Sequence, residues 1–335
     1  MRLLQVGVRG MGNHWVGVGR RAEEAEVAGY VDVVPAHLEA LRKDHGVPES
    51  ACFTDLAAAL EAVRPEGVLC IVPPAFHRDV AVAALRAGCH VLTEKPLADT
   101  WESCLEMAAE ARRAGRILMV GQNYRYSRPV QTLRRVLREG GLGRPGQAAV
   151  QFFKGPHFGG FREEMAQPLL VDMSIHHFDL MRYLLEAEAV SIYAQSWNPG
   201  WSWFRGDASA TVHVQMRPAG GEGSIAVTYT GSWCAHGGGT PWNGEWRILC
   251  EDGCALLRDD RVSVQRRDGE PWTDVPLDPL PRGGQDHLLH EFLAAAREGR
   301  RPETSVEDNL GSIGMVFATE ASLAAGRPVP PPVRT

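Results

Sequence analysis

Residues 6–15 read Val6-Gly7-Val8-Arg9-Gly10-Met11-Gly12-Asn13-His14-Trp15, directly after the apolar run that begins at Leu3. A strand that ends in glycines and runs into a helix is the opening of a dinucleotide-binding βαβ unit. Gly10 and Gly12 take the first two places of a G-x-G-x-x-G pattern. The first glycine allows the tight turn, and the second lets a pyrophosphate come close to the backbone at a helix N-terminus. Trp15 stands in the third place, where a glycine only eases helix–strand packing. Asp32, at the end of the next apolar run, lies twenty residues after Gly12. At that distance a carboxylate accepts hydrogen bonds from the adenosine ribose hydroxyls. Val33, Val34 and Pro35 offer no arginine to hold a 2′-phosphate, so NAD is expected as cofactor in preference to NADP.

Working outward, the first third of the chain alternates strand and helix. Apolar runs at Leu3–Val8, Glu26–Val33, Gly67–Val72, His90–Thr93 and Ile117–Val120 are short and bounded by turn residues, as strands buried on both faces are. Helices are expected over Leu56–Val63, Asp79–Ala87 and Thr100–Arg113, the last with Thr100 as N-cap and Gly115 as its stop. The expected fold is α/β Rossmann, a doubly wound parallel sheet, over residues 1–122. After Asn123 the pattern changes to longer polar–apolar alternation at Ala148–Phe153, Thr211–Met216 and Ser224–Thr230, with helices at Leu169–Leu185, His287–Glu298 and Asn309–Ala324. Residues 123–335 are therefore expected to form an α+β domain with a mostly antiparallel open sheet, serving substrate binding and oligomerisation.

Composition narrows the class. The 335 residues are 44% hydrophobic and 23% charged with a net charge of −6. The basic residues are scattered, so neither nucleic acid nor an anionic membrane surface is an expected partner. No stretch reaches the ~20 apolar residues of a membrane span, and the N-terminal apolar run is too short for a signal peptide. The seven cysteines are dispersed without zinc-type pairing and read as free thiols in a reducing cytoplasm.

A second site is Glu94-Lys95-Pro96, after the fourth apolar run. In an open parallel sheet ligands bind beyond the carboxyl ends of the strands, which places Lys95 toward a bound nicotinamide. Pro96 holds Lys95 extended and makes a cis bond available. A surface ion pair before a turn has the same local sequence. Further on, Asp172, His176 and Asp179 fall at i, i+4 and i+7 of a helix and so share one face. Oxidation of a secondary alcohol needs a base for the hydroxyl proton, and a histidine suits that near neutral pH. On this reading Asp172 or Asp179 orients the ring, and Lys95 hydrogen-bonds the same hydroxyl and stabilises developing negative charge. His177 points about 100° away on a helix and reads as structural or as a support behind the site.

These motifs together resemble the Gfo/Idh/MocA family of oxidoreductases. The matching stretches are Pro73-Pro74-Ala75-Phe76-His77, Ala87–Ala98 around Glu94-Lys95-Pro96, and Gly121–Pro129 with Asn123-Tyr124-Arg125-Tyr126. Gly141-Leu142-Gly143 and Asp172–Asp179 complete the set. The last resembles D-x-G-x-H-x-x-D with Ser174 in the glycine position. The resemblance spans nearly the whole chain. It implies a two-domain fold, a nicotinamide cofactor, sugar- or cyclitol-like substrates, and Lys95 and His176 as the catalytic pair with Asp172 beside them. It also points to a homodimer or homotetramer formed through the second-domain sheet.

The candidate cofactor contacts are Gly10, Met11, Gly12, Asp32, Pro73, His77, Glu94 and Lys95. The candidate substrate contacts are Lys95, Tyr124, Arg125, His157, Arg162, Asp172 and His176, with Lys154 in the same loop as His157. A metal site from Asp172, His176 and His157 lacks supporting ligand spacing, so none is expected. Trp197, Trp201, Trp203, Trp233, Trp242, Trp246 and Trp272 all follow residue 190, and either stack on sugar rings or pack the sheet. The expected function is NAD-dependent hydride transfer to or from a sugar, cyclitol or related polyol. The alternatives are a glycoside hydrolase using NAD for transient oxidation and a non-catalytic ligand sensor. The first would leave the cofactor's redox state unchanged over a turnover. Retention of Lys95, Asp172 and His176 argues against the second.

Overall fold

Strands of two to six mostly apolar residues have little wet face to offer, and the first sheet is built from such strands. The structure, a computed structural model, describes residues 1–139, 141–220, 223–267 and 269–334. These residues form two compact units, one of Met1–Asn123 with Arg282–Leu310, the other of Tyr124–Pro281 with Gly311–Arg334.

In the first unit β1 (Arg2–Val6), β2 (Glu26–Val31), β3 (Cys52–Phe53), β4 (Gly67–Cys70), β5 (His90–Thr93) and β6 (Leu118–Val120) form a sheet of order β3-β2-β1-β4-β5-β6. Every pairing is parallel. Connecting them are α1 (Met11–Arg21), α2 (Pro35–His45), α3 (Leu56–Val63), α4 (His77–Arg86) and α5 (Trp101–Ala114). The strand order reverses direction between β1 and β4, and ligands bind open α/β sheets at such a switch point. Capping follows the sequence: Thr100 accepts from the Ser103 amide at the start of α5, and Gly115 ends it at φ 61°. Asp55 caps α3 by accepting from the Ala58 amide.

In the second unit α6 (Arg128–Glu139) leads to β7 (Pro145–Phe153), the single-turn α7 (Phe161–Glu164), a π-helical turn (Leu169–Met173) and α8 (Ser174–Leu185). Then come β8 (Ala187–Trp197), β9 (Ser209–Pro218), β10 (Ile225–Ser232), β11 (Glu245–Cys250), β12 (Gly253–Arg258), β13 (Arg261–Gln265) and β14 (Thr273–Val275). Their order is β14-β13-β12-β11-β7-β10-β9-β8. All neighbours are antiparallel except β7 and β10, which run parallel. All the residues of α8 are buried, its polar ones included.

The chain then supplies α9 (Gly284–Glu298) to the first unit and α10 (Val306–Ala325), of which residues 306–310 belong to the first unit and the rest to the second. Thus the first unit is not closed by residue 122. Arg21 of α1 holds Asp286 with 2.8 Å between Nη2 and Oδ1, His290 lies 3.0 Å from Glu24, and the Val120 amide donates to the Thr304 carbonyl. Among the described residues no helix is long and apolar enough to cross a membrane.

The second-domain sheet, through which assembly is expected, has one apolar and one wetter face along β9 and β10. Val212, Val214 and Met216 of β9 and Val227 and Tyr229 of β10 are already buried within the unit. The alternate residues, Thr211, His213, Gln215, Ala226, Thr228 and Thr230, form the wetter face. That face is polar or small, so these strands hold back no apolar residues for another subunit.

Candidate active site

At the carboxyl edge of the first sheet the glycine turn is laid out differently from the sequence expectation. A Cβ on Gly7 (φ 91°) would fall 2.3 Å from the Ile71 carbonyl oxygen, and one on Gly12 would fall 2.5 Å from the carbonyl oxygen of Gly7. Gly7 therefore makes the tight turn and Gly12 the close helix–strand crossing, the first and third places of G-x-G-x-x-G. Gly10, at φ 57°, is the N-cap of α1 and opens onto empty space, with no side chain capping the helix. Trp15 is then outside the pattern: its fully buried indole donates to Glu94 Oε1 at 2.7 Å. Gln5, buried in β1, ties the turn by donating to the carbonyls of Gly7 (2.9 Å) and Gly12 (2.8 Å).

Asp32 ends β2 on the same edge. Its Oδ2 accepts from the Val8 amide at 3.2 Å and its Oδ1 from the Val34 amide at 3.0 Å, with His37 Nδ1 3.0 Å away. The carboxylate is thereby aimed rigidly, with lone pairs to spare for ribose hydroxyls. The amino end of α1 with no side-chain cap, open space at Gly10 and an anchored acid at the β2 end fit a dinucleotide. Met11 opens α1 and is exposed, and Pro73 follows β4.

Glu94, Lys95 and Pro96 follow β5, and the Lys95–Pro96 bond is cis. Burial holds the Glu94 carboxyl above the usual carboxylate range, against the pull of the Trp15 hydrogen bond and the Lys95 charge. Oε2 of Glu94 accepts from the Lys95 amide at 3.1 Å. His77, expected at the cofactor, is fully buried instead. Its Nε2 lies 2.8 Å from the Val72 carbonyl and its Nδ1 2.9 Å from that of Pro96. It clamps the β4 end to the Lys95–Pro96 loop and has no ring nitrogen left for a ligand. Burial pushes its pKa down, with these carbonyls pulling back.

In the second unit the helix carrying Asp172, His176 and Asp179 is not a single α-helix. Asp172 lies in the π-turn and the two others in α8, so the plain α spacing does not apply across them. Ser174, at the junction, donates its hydroxyl to the Leu170 carbonyl. His176 is 5% exposed, and its ring stacks on Tyr124 at a centroid distance of 4.0 Å and an interplanar angle of 11°. Asp172 Oδ2 accepts from Arg162 Nε at 2.7 Å. Burial, with the charge of Asp172 added, pushes the Tyr124 hydroxyl up, so it stays protonated.

Asp179 is occupied elsewhere: Arg125 donates Nε to Oδ2 and Nη2 to Oδ1, each at 2.6 Å, and Ser312 donates to Oδ1 at 2.6 Å. Asp179 serves this buried pair, and Arg125, 3% exposed, is its partner on the 3-10 turn before α6. His177 is fully buried with Nε2 3.1 Å from the Trp242 carbonyl, and desolvation lowers its pKa to about 4. It is a neutral histidine packed inside the unit.

The remaining loop candidates lie within this unit. His157 stacks on Trp203 at 3.9 Å, Arg162 lies over the rings of Phe158 and Phe161, and Lys154 Nζ is 5.2 Å from the Trp242 ring centre. Trp233 and Trp246 are buried, whereas Trp197, Trp201, Trp242 and Trp272 are exposed. Sequence alone did not single out Gln5, Gly7, Trp15 as partner of Glu94, or His37. Gln5, a polar residue inside an apolar strand, and Gly7, five residues before Gly12, carried a signal. Among the described residues no cluster of three or more His, Cys, Asp or Glu side chains is arranged to hold a metal ion.

With the two sites described, known proteins can be set beside the chain. Residues 1–122 match the model described as oxidoreductase family, NAD-binding Rossmann fold, and residues 130–256 match the GFO/IDH/MocA C-terminal domain. An uncharacterized protein of Sinorhizobium fredii is 30% identical over 98% of this chain and 95% of its own length. The 1,5-anhydro-D-fructose reductase of Ensifer adhaerens is 31% identical over 96% of each. An oxidoreductase from Agrobacterium radiobacter, solved in complex with NAD+, L-tartaric acid and magnesium, shares the fold with a TM-score of 0.88 at 20% identity over 98% of both chains. The chain belongs to the Gfo/Idh/MocA family of NAD-binding oxidoreductases.

Proposed function

We propose that this chain transfers a hydride between a sugar, cyclitol or related polyol hydroxyl and NAD. The observation that carries the reading is the setting of His176. It is a buried imidazole stacked on Tyr124, on a helix entered through a π-turn that holds Asp172, in a family of NAD-binding oxidoreductases. π-Turns gather at functional sites, and the stacking fixes the plane of the ring.

In the oxidative direction His176 takes the substrate hydroxyl proton, and Lys95 hydrogen-bonds that oxygen and stabilises its developing charge. Asp172, tied to Arg162, supplies a fixed negative charge in the same helical segment. NAD supplies the hydride acceptor at its nicotinamide. The first unit serves the cofactor through Gly10, Met11 and Asp32, with Gly7 and Gly12 shaping the turn, and the second serves the substrate. Sugar chemistry enters this reading through the relative named as a 1,5-anhydro-D-fructose reductase. A cytoplasmic homo-oligomer assembled through the second sheet belongs to the same proposal; light scattering tests the assembly, and a monomer at micromolar concentration would remove it.

The experiment is a panel of sugars, cyclitols, polyols and sugar acids with NAD, followed by NADH absorbance. NADH accumulating with one chemical class supports the reading. Product released with no net NADH supports the hydrolase, and ligand binding without turnover supports the sensor.

A further inference from the structure

The β1–α1 turn carries a charge where its pattern calls for a bare backbone. With Gly7 in the first place and Gly12 in the third, the middle place of G-x-G-x-x-G falls on Arg9. That is the position at which a glycine lets the pyrophosphate approach the main chain. Arg9 is exposed and not among the residues of positive φ, so the backbone does not itself demand glycine there. The left-handed turns are supplied by its neighbours Gly7, φ 91°, and Gly10, φ 57°.

The electrostatics of the position are unfavourable in the protein alone. Arg9 immediately precedes Gly10, the N-cap of an eleven-residue helix whose first turn contains no acidic residue and whose cap has no side-chain acceptor. A cation at the amino end of a helix opposes the helix dipole. Among the described residues no carboxylate forms an ion pair with Arg9. A local rule broken without an internal partner is what a ligand site produces. The ligand has to be an anion that reaches both the guanidinium and the positive end of the α1 dipole.

We propose that Arg9 is a pyrophosphate-binding side chain. Its guanidinium gives the dinucleotide diphosphate the charge-assisted contacts that replace the close backbone approach of the missing glycine. The inference rests on NAD binding by the first unit and adds a residue that the glycine pattern alone does not supply.

The test is titration of the full chain with NADH and with ADP-ribose, by fluorescence and calorimetry, over a range of salt concentrations. The unmodified protein is compared with Arg9→Gly and Arg9→Ala. The expected result is about a tenfold loss of affinity for both ligands in both variants, the scale of a charged hydrogen bond, with a flatter salt dependence. Melting temperatures should not fall, because Arg9 is exposed, makes no ion pair and opposes the dipole of α1. An Arg9→Gly protein that binds NADH as tightly as the unmodified chain, or more tightly, would overturn the inference and leave NAD binding intact. An unmodified protein that binds neither ligand would overturn both.

Discussion

Asp32 and Asp179 are both acids at candidate sites, and they are held by different means. Asp32 sits where β2 ends, anchored by the amides of Val8 and Val34. Asp179 sits inside a buried helix, held by Arg125 from 54 residues upstream and Ser312 from 133 residues downstream. The first unit makes its site from strand ends, where parallel topology alone brings Gly10, Asp32, Pro73 and Lys95 to one edge. The second makes its site by fixing one helix with long-range buried contacts. Damage should follow that division: changes at the strand ends should alter ligand affinity and leave the fold, whereas changes around α8 should cost stability first.

The largest effect is expected from the buried pair. Asp179→Ala leaves the Arg125 guanidinium, 3% exposed, without its carboxylate. Removing one partner of a buried pair costs about 3–5 kcal/mol. Urea unfolding of Asp179→Ala should show that loss, and the paired change Arg125→Met with Asp179→Leu should recover part of it. A single variant as stable as the parent would erase the contrast between the two units.

Catalysis comes next. Lys95→Ala and His176→Ala should each lower turnover by at least ~100-fold. The double variant should lose less than the product of the two if they act as one unit. Tyr124→Phe keeps the stacked ring and should keep most activity, while Tyr124→Ala should not. Cofactor selectivity is smaller in scale. The like charge of Asp32 should disfavour NADP by about 1–3 kcal/mol, and Asp32→Ser should narrow the gap. Equal titration curves for NAD and NADP in the unmodified chain would contradict the assignment of Asp32.

The smallest expected effect is the acid dependence of stability from His177. Its folded pKa, about 4, lies below the ordinary histidine value of 6.5 because of desolvation. Between those values the unfolded chain binds the proton and the folded one does not, so stability is complete above about pH 6.5 and is lost as pH falls toward 4. From about pH 7.5 to about pH 5.5 the loss is about 1 kcal/mol. His177→Asn should remove that part of the slope in urea midpoints measured across the range, and an unchanged slope would show that His177 titrates normally.

The same division governs how much could be read from sequence. Short apolar runs with glycines and prolines at their ends reveal the parallel sheet, because each strand and its turn are decided by neighbouring residues. Thr100 and Gly115 marked the limits of α5 for the same reason. What escaped was set by contacts distant in sequence. The indole of Trp15 on Glu94, 79 residues away, and the carboxylate of Asp179 held by Arg125, 54 residues away, leave no periodicity to find. The π-turn at Leu169–Met173 defeated the helical face drawn through Asp172 and Asp179, since the spacing argument assumes one helix type throughout. The glycine register slipped because Gly10-x-Gly12 and Gly7-x-x-x-x-Gly12 are both present, and only the close approach to Ile71 tells them apart.

The central claim is that hydride passes between a substrate carbinol carbon and NAD. Its most direct test takes a sugar or polyol that produces NADH, deuterated at the carbon to be oxidised, and weighs the NADH formed. The account predicts one deuterium recovered in the reduced cofactor, with a slower rate for the deuterated substrate and loss of both signals in His176→Ala. NADH formed without deuterium, or product formed from the labelled substrate with no reduced cofactor at all, would contradict it.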